Sequence, residues 1–105
     1  MRPASVNVLG KEYSISYVDS VIEVDMYHRE ALWGQIDYWT RSIRVYVGRR
    51  CEADILDTLL HEVLHAILED LNLDKKVDHD SHSLIAMALA DVLMRNGWVK
   101  TEPIR

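Results

Sequence analysis

The chain has 105 residues and a net charge of −5, with hydrophobic residues at 49% and charged residues at 28%. That length holds one domain and no second, and that balance excludes a disordered tail, a collagen-like chain and a low-complexity segment. The one cysteine, Cys51, has no partner within the chain, which excludes a disulfide scaffold as well.

The first half reads as strands. Val6–Leu9 runs into a turn signal, Gly10-Lys11, and then into Tyr13–Val18. In that run Tyr13, Ile15 and Tyr17 alternate with serines, the period of a half-buried strand. Residues 19–32 read as loop, with Val21–Val24 as a candidate short strand. Gly34–Tyr38 and Ile43–Val47 make a further pair, joined by the hairpin-length linker Trp39–Ser42. The second half reads as helices. Between Glu52 and Leu71 there is no Gly or Pro, and Leu56, Leu59, Leu60, Val63, Ile67 and Leu71 recur at three- and four-residue steps. Ile55, Leu64 and Leu68 widen that face, so the helix should be central. After a polar linker, Asn72–Asp78, a second helix is expected from Asp80 or Ser81 to Arg95-Asn96, with Gly97 as its C-terminal cap. Its inner stripe is expected to be His82, Ile85, Leu89 and Val92. The sum is an α+β fold: a small, mostly antiparallel twisted sheet of three or four strands, followed by two packed helices.

Charge is uneven along the chain. Residues 52–80 hold nine Asp or Glu against Lys75 and Lys76, whereas the first fifty residues are near balance. A general nucleic-acid binder should be basic, so no nucleic-acid partner is expected. Arg41, Arg44, Arg49 and Arg50 read as a solvated strand face and loop. The N-terminus lacks an apolar signal region, and the longest uncharged apolar run, Leu84–Ala90, is seven residues. No membrane partner is therefore expected, and a cytoplasmic location is.

The segment that carries chemistry is His61-Glu62-Val63-Leu64-His65, an H-E-x-x-H motif inside the periodic helix. Residues four apart lie one turn apart on the same face, so the two imidazoles can hold one metal ion. Zinc suits imidazole ligands and hydrolysis without redox change. Glu62, offset by about 100°, reaches past the metal and can act as general base on a metal-activated water. A catalytic zinc site keeps three protein ligands and one open position. His28, His79, His82, Asp74, Asp78 and Asp80 are the remaining candidates, and the cluster Asp78-His79-Asp80-Ser81-His82 is the obvious source. Asp78, Asp80 and Ser81 would equally serve as a helix cap.

With these residues the chain resembles the small zincin-type metallopeptidases of phages and prophages, in the ImmA/IrrE-like or minimal gluzincin groups. The likeness spans most of the chain: the N-terminal strands, the hairpin from Gly34 to Val45, the helix Thr58–Ile67 and the closing helix Ile85–Leu93. It implies a zinc-dependent peptidase of protein or peptide substrates, active in the host cytoplasm if the chain is phage-encoded. It implies a metal lying between the two helices near a sheet edge, and a strand that adds extended peptide to the sheet, for which Ile43–Val47 is the candidate. In these families the third ligand is usually a Glu at the start of the closing helix. The matching position here is His79, and no Glu occurs between Glu69 and Glu102. The implied set is His61, His65 and His79, with His82 or Asp80 as the alternatives and Glu62 catalytic. The rival expectation is a non-catalytic interaction module stapled by a closed zinc site of His61, His65, His79 and His82. Neither expectation specifies an oligomeric state.

Trp33, Trp39 and Trp98 are expected as edges of a small core rather than a substrate groove. Cys51 is expected as a small buried residue. Tyr38 and Tyr46 are candidates for oxyanion stabilisation that their spacing does not separate.

Overall fold

The computed structural model describes residues 2–25 and 32–99, so His28 lies outside the described residues. Strands β1 (Ser5–Val8) and β2 (Lys11–Val18) form an antiparallel hairpin in which Val8 faces Lys11. Its two central residues are Leu9 and Gly10, both at positive φ, which matches the strand twist. The side chain of Asn7 accepts from the Gly10 amide at 2.9 Å and closes the turn. The expected short strand at Val21–Val24 is instead a 3₁₀ turn over Val21–Glu23. Strands β3 (Gly34–Asp37) and β4 (Ser42–Tyr46) form a second antiparallel hairpin. Buried Asp37 caps its loop, accepting from the Trp39 amide at 2.9 Å.

The four strands make one sheet in the order β1-β2-β4-β3. Two of its three pairings are antiparallel and the third, β2 with β4, is parallel, Ile15 opposite Ile43 and Tyr17 opposite Val45. This corrects the expectation of Ile43–Val47 as a bordering strand. The strand does alternate, with Ile43 and Val45 fully buried, but the parallel pairing encloses β4 between β2 and β3.

Helix α1 (Glu52–Asp70) crosses the sheet and α2 (His79–Arg95) packs on α1. Ile55, Leu59 and Ala66 of α1 join Val8, Tyr13, Ile15, Ile43 and Val45 in the core. Both helices stop in the same way. Asn72 and Gly97 take positive φ, and the Leu73 and Trp98 amides reach back to the carbonyls of Leu68 and Leu93 at 2.8 and 3.0 Å. Helix α2 begins one or two residues earlier than expected, because Asp78 accepts from the Ser81 amide at 2.7 Å and caps it.

The face of α2 that meets α1 is His82, Ala86 and Ala90. The expected stripe was shifted by one residue. Ile85, Leu89 and Val92 are 42–49% exposed, because the helices approach where alanines leave room. No helix among the described residues is long and apolar enough to cross a membrane. Ala86→Leu should therefore lower stability by about 1–3 kcal/mol through overpacking. Leu89→Lys, on the open flank, should cost about 1 kcal/mol or less. Urea unfolding midpoints of the two variants measure the difference.

Candidate metal centre

Helix α1 presents two polar faces. His61 and His65 stand one turn apart toward α2, their ring centroids 4.9 Å apart. Glu62 follows the stripe Ile55, Leu59, Glu62 and Ala66, whose apolar members pack on the sheet, and it is only 6% exposed. From the facing helix comes His82, 1% exposed, with its ring stacked at 3.8 Å on His65 and 4.4 Å from His61. His61, His65 and His82 each offer a ligand atom, and these atoms lie within 4.8 Å of one another. Three histidines are thus close enough to hold one metal ion.

The third member of this group is His82, the alternative at the sequence level. The favoured His79 is not in the group. Its ring stands 5.4 Å from that of His61, at the first residue of α2. Asp80 is exposed and does not join. Asp78 is committed to capping, and its carboxyl is held below the usual range by the Ser81 amide and hydroxyl.

Hydrogen bonds fix which ring nitrogen is available. His82 Nε2 is 2.8 Å from the His61 carbonyl oxygen, which can only accept, so Nε2 carries the proton and Nδ1 keeps the lone pair. His65 Nδ1 is 3.3 Å from Asp74 Oδ1, which likewise assigns the proton to Nδ1 and leaves Nε2 for a metal. A carboxylate behind a ligating histidine orients the ring and raises its basicity. Asp74, weighed as a ligand from sequence, takes this supporting place. Burial, and then the charges of His82, His65 and His79, lower the His61 pKa to about 4. Burial also lowers that of His65, against the hydrogen bond its ring donates to Asp74. Both rings are neutral at pH 7, the state a metal requires. Three convergent imidazoles, one backed by a carboxylate, fit a nitrogen-preferring dication.

Beside this group opens a cleft of about 620 Å³. His61 and Glu62 line it, with Trp33 and Gly34 on the sheet side and His79, Leu84 and Met87 on the α2 side. Burial raises the Glu62 pKa from 4.5 to about 7. Arg50 also lines the cleft. Its guanidinium donates to the carbonyls of Tyr46 and Asp54 and to Thr58 Oγ1, at 2.9, 3.0 and 2.7 Å, and lies 4.6 Å from the Trp33 ring centroid. It is therefore not part of a solvated basic face. Trp33 is a groove residue, against expectation, while Trp39 and Trp98 are exposed and belong to neither core nor cleft. Cys51 is the half-buried N-cap residue of α1, outside the metal group. Neither candidate tyrosine lines the cleft. Tyr38 donates to the His65 carbonyl at 3.4 Å, and burial raises its pKa so that it stays protonated. Tyr46 packs on Trp33 at 5.6 Å.

One further residue was not singled out from sequence. A Cβ on Gly34 would lie 2.7 Å from Thr58 Cγ2 and 3.3 Å from Glu62 Cγ. Glycine is what lets β3 approach α1 closely enough to cover Glu62. Its only signal in the sequence is a glycine opening a strand. Comparison with family models, curated proteins and solved structures finds no match.

Gly34→Ala should destabilise the fold by about 1–3 kcal/mol. Thr58→Ser removes the clashing methyl and keeps the oxygen that Arg50 uses, so the double variant should recover part of the loss in a double-mutant cycle of urea melts. A second expectation follows from protonation. At pH 6 Glu62 still carries its proton and His61 does not. A dication placed beside Glu62 should expel that proton. Calorimetric titration of metal-free protein with zinc, in buffers of differing ionisation enthalpy, should show wild type releasing about one proton more than Glu62→Gln.

Proposed function

We propose that the chain is a zinc-dependent peptidase that hydrolyses peptide bonds in protein or peptide substrates. The observation that carries this reading is Glu62: a buried carboxyl, raised to about 7, that opens onto a cleft beside three convergent imidazoles. A carboxyl held near neutrality can both take and return a proton at working pH. The likeness of the H-E-x-x-H helix and its flanking hairpin to phage zincins supports the same reading.

In this reading His61 Nε2 or Nδ1, His65 Nε2 and His82 Nδ1 hold the metal, and His82 takes the place expected for His79. Zinc bound there supplies Lewis-acid polarisation of a carbonyl and acidification of water. Glu62 removes the proton from the attacking water and hands it to the leaving amine. Asp74 keeps the His65 ring in register. The strand that borders the cleft is β3, so pairing with an extended peptide passes from β4 to β3. Trp33, Leu84 and Met87 offer apolar walls to a substrate side chain. The rival, a closed structural staple, has no use for a cleft of this size reaching a buried carboxyl.

Glu62→Gln keeps the side-chain shape and removes the base. It should leave zinc content near one per chain and cut cleavage of a broad peptide library roughly a hundredfold or more. His82→Ala should lose zinc by elemental analysis, as should His61→Ala and His65→Ala. A wild type that holds zinc and cleaves no peptide pool would count against the peptidase.

A further inference from the structure

Four of the histidines gather at the α1–α2 junction, and three suffice for the centre described above. The fourth, His79, is one helical turn before His82 on the same side of α2. Its ring centroid is 5.4 Å from that of His61, little more than the 4.9 Å between His61 and His65. It lines the cleft, which His65 and His82 do not. It therefore stands on the side from which a substrate must approach the metal group. His82 is buried and tied to the His61 carbonyl, and His65 is tied to Asp74. Among the described residues no hydrogen bond holds the His79 ring, and the residue is exposed. As the first residue of α2 it has no preceding helical turn to block its side-chain rotamers. The fixed rings and the free ring thus have different physical standing.

Resting on the metal-centre reading, we propose that His79 is a displaceable fourth ligand, which closes the metal's shell at rest and leaves it when a substrate carbonyl enters the cleft. A tetrahedral ion with four imidazoles has no open position, and with three it has one. The exchange breaks one metal–nitrogen bond and makes one metal–oxygen bond, to the water that Glu62 deprotonates in that reading, with no change in charge or oxidation state. It also places a barrier to idle reaction at the mouth of the cleft, because water must compete with a tethered imidazole. The tether is short, so the effective concentration of the ring at the metal is high. The closed site expected as a rival at the sequence level thus becomes the resting state of the same centre.

Cobalt(II) loaded into the full-length metal-free chain tests this, with azide as the probe. A ring bound about nine-tenths of the time weakens azide about tenfold, because only the open fraction can bind. Wild-type visible spectra should therefore change only at high azide. His79→Ala and His79→Asn should already differ from wild type without azide, and should bind azide about tenfold more tightly. Both should keep cobalt far better than His82→Ala does. Equal azide affinity and equal spectra in wild type and both His79 variants would overturn the fourth-ligand role while leaving the three-histidine centre in place. A wild-type chain that takes up no cobalt and no zinc would overturn the centre itself, and the fourth ligand with it.

Discussion

The constraint on which the structure depends is that one helix carries three polar groups through the middle of a small apolar fold. Desolvating two imidazoles and a carboxyl without partners costs several kcal/mol, so each needs its own surroundings. Helix α1 solves this by direction. The 100° step between His61 and Glu62 sends the imidazoles toward α2 and the carboxyl toward the sheet. The rest of the chain covers those two faces differently. Toward α2 the cover is polar, with His82 and Asp74 satisfying ring nitrogens and backbone. Toward the sheet the cover is β3, brought close by Gly34, and among the described residues it leaves Glu62 no ionic partner. The result is a pair of opposed shifts, imidazoles pushed toward neutrality and a carboxyl pushed toward protonation.

Those shifts share one cause, burial, and a dication would reverse the sense of one of them. Around a bound cation the carboxylate form of Glu62 is favoured and the neutral imidazoles become ligands. Burial thus leaves these groups so placed that a positive charge among them would be favoured. The acidic run over residues 52–80 agrees with this, since its net negative charge lies along α1 and the linker that leads into α2. Arg50 stands apart, with its donors spent on Tyr46, Asp54 and Thr58, so its charge braces the β4–α1 junction and the Trp33 wall.

Packing between the helices follows from the site as well. For His82 to stack on His65 at 3.8 Å, α2 must lie close to α1, and Ala86 and Ala90 continue that approach along the next two turns. The larger apolar residues of α2 are left on the flanks. Leu84 and Met87 line one side of the cleft, while Ile85, Leu89 and Val92 stay half-exposed on the other flank.

The sequence by itself determined what local spacing can determine. The one-turn pairing of His61 with His65, the orthogonal Glu62, the Asp78 cap and the Gly97 stop all involve residues within five positions, where helix geometry alone sets the outcome. Strand alternation at Ile43 and Val45 was legible for the same reason. Tertiary structure decided what depends on distant partners. A stripe of His82, Ile85, Leu89 and Val92 and one of His82, Ala86 and Ala90 are both apolar; only the closeness of α1 selects the smaller residues. The position of β4 inside the sheet rests on its parallel pairing with β2, whose register no local signal encodes. The place of His82 in the metal group rests on a contact with a carbonyl 21 residues earlier. The need for glycine at position 34 rests on Thr58 and Glu62, on another element altogether. Backbone periodicity fixes which way a side chain leaves its own helix or strand, and only the assembled fold fixes what it meets there.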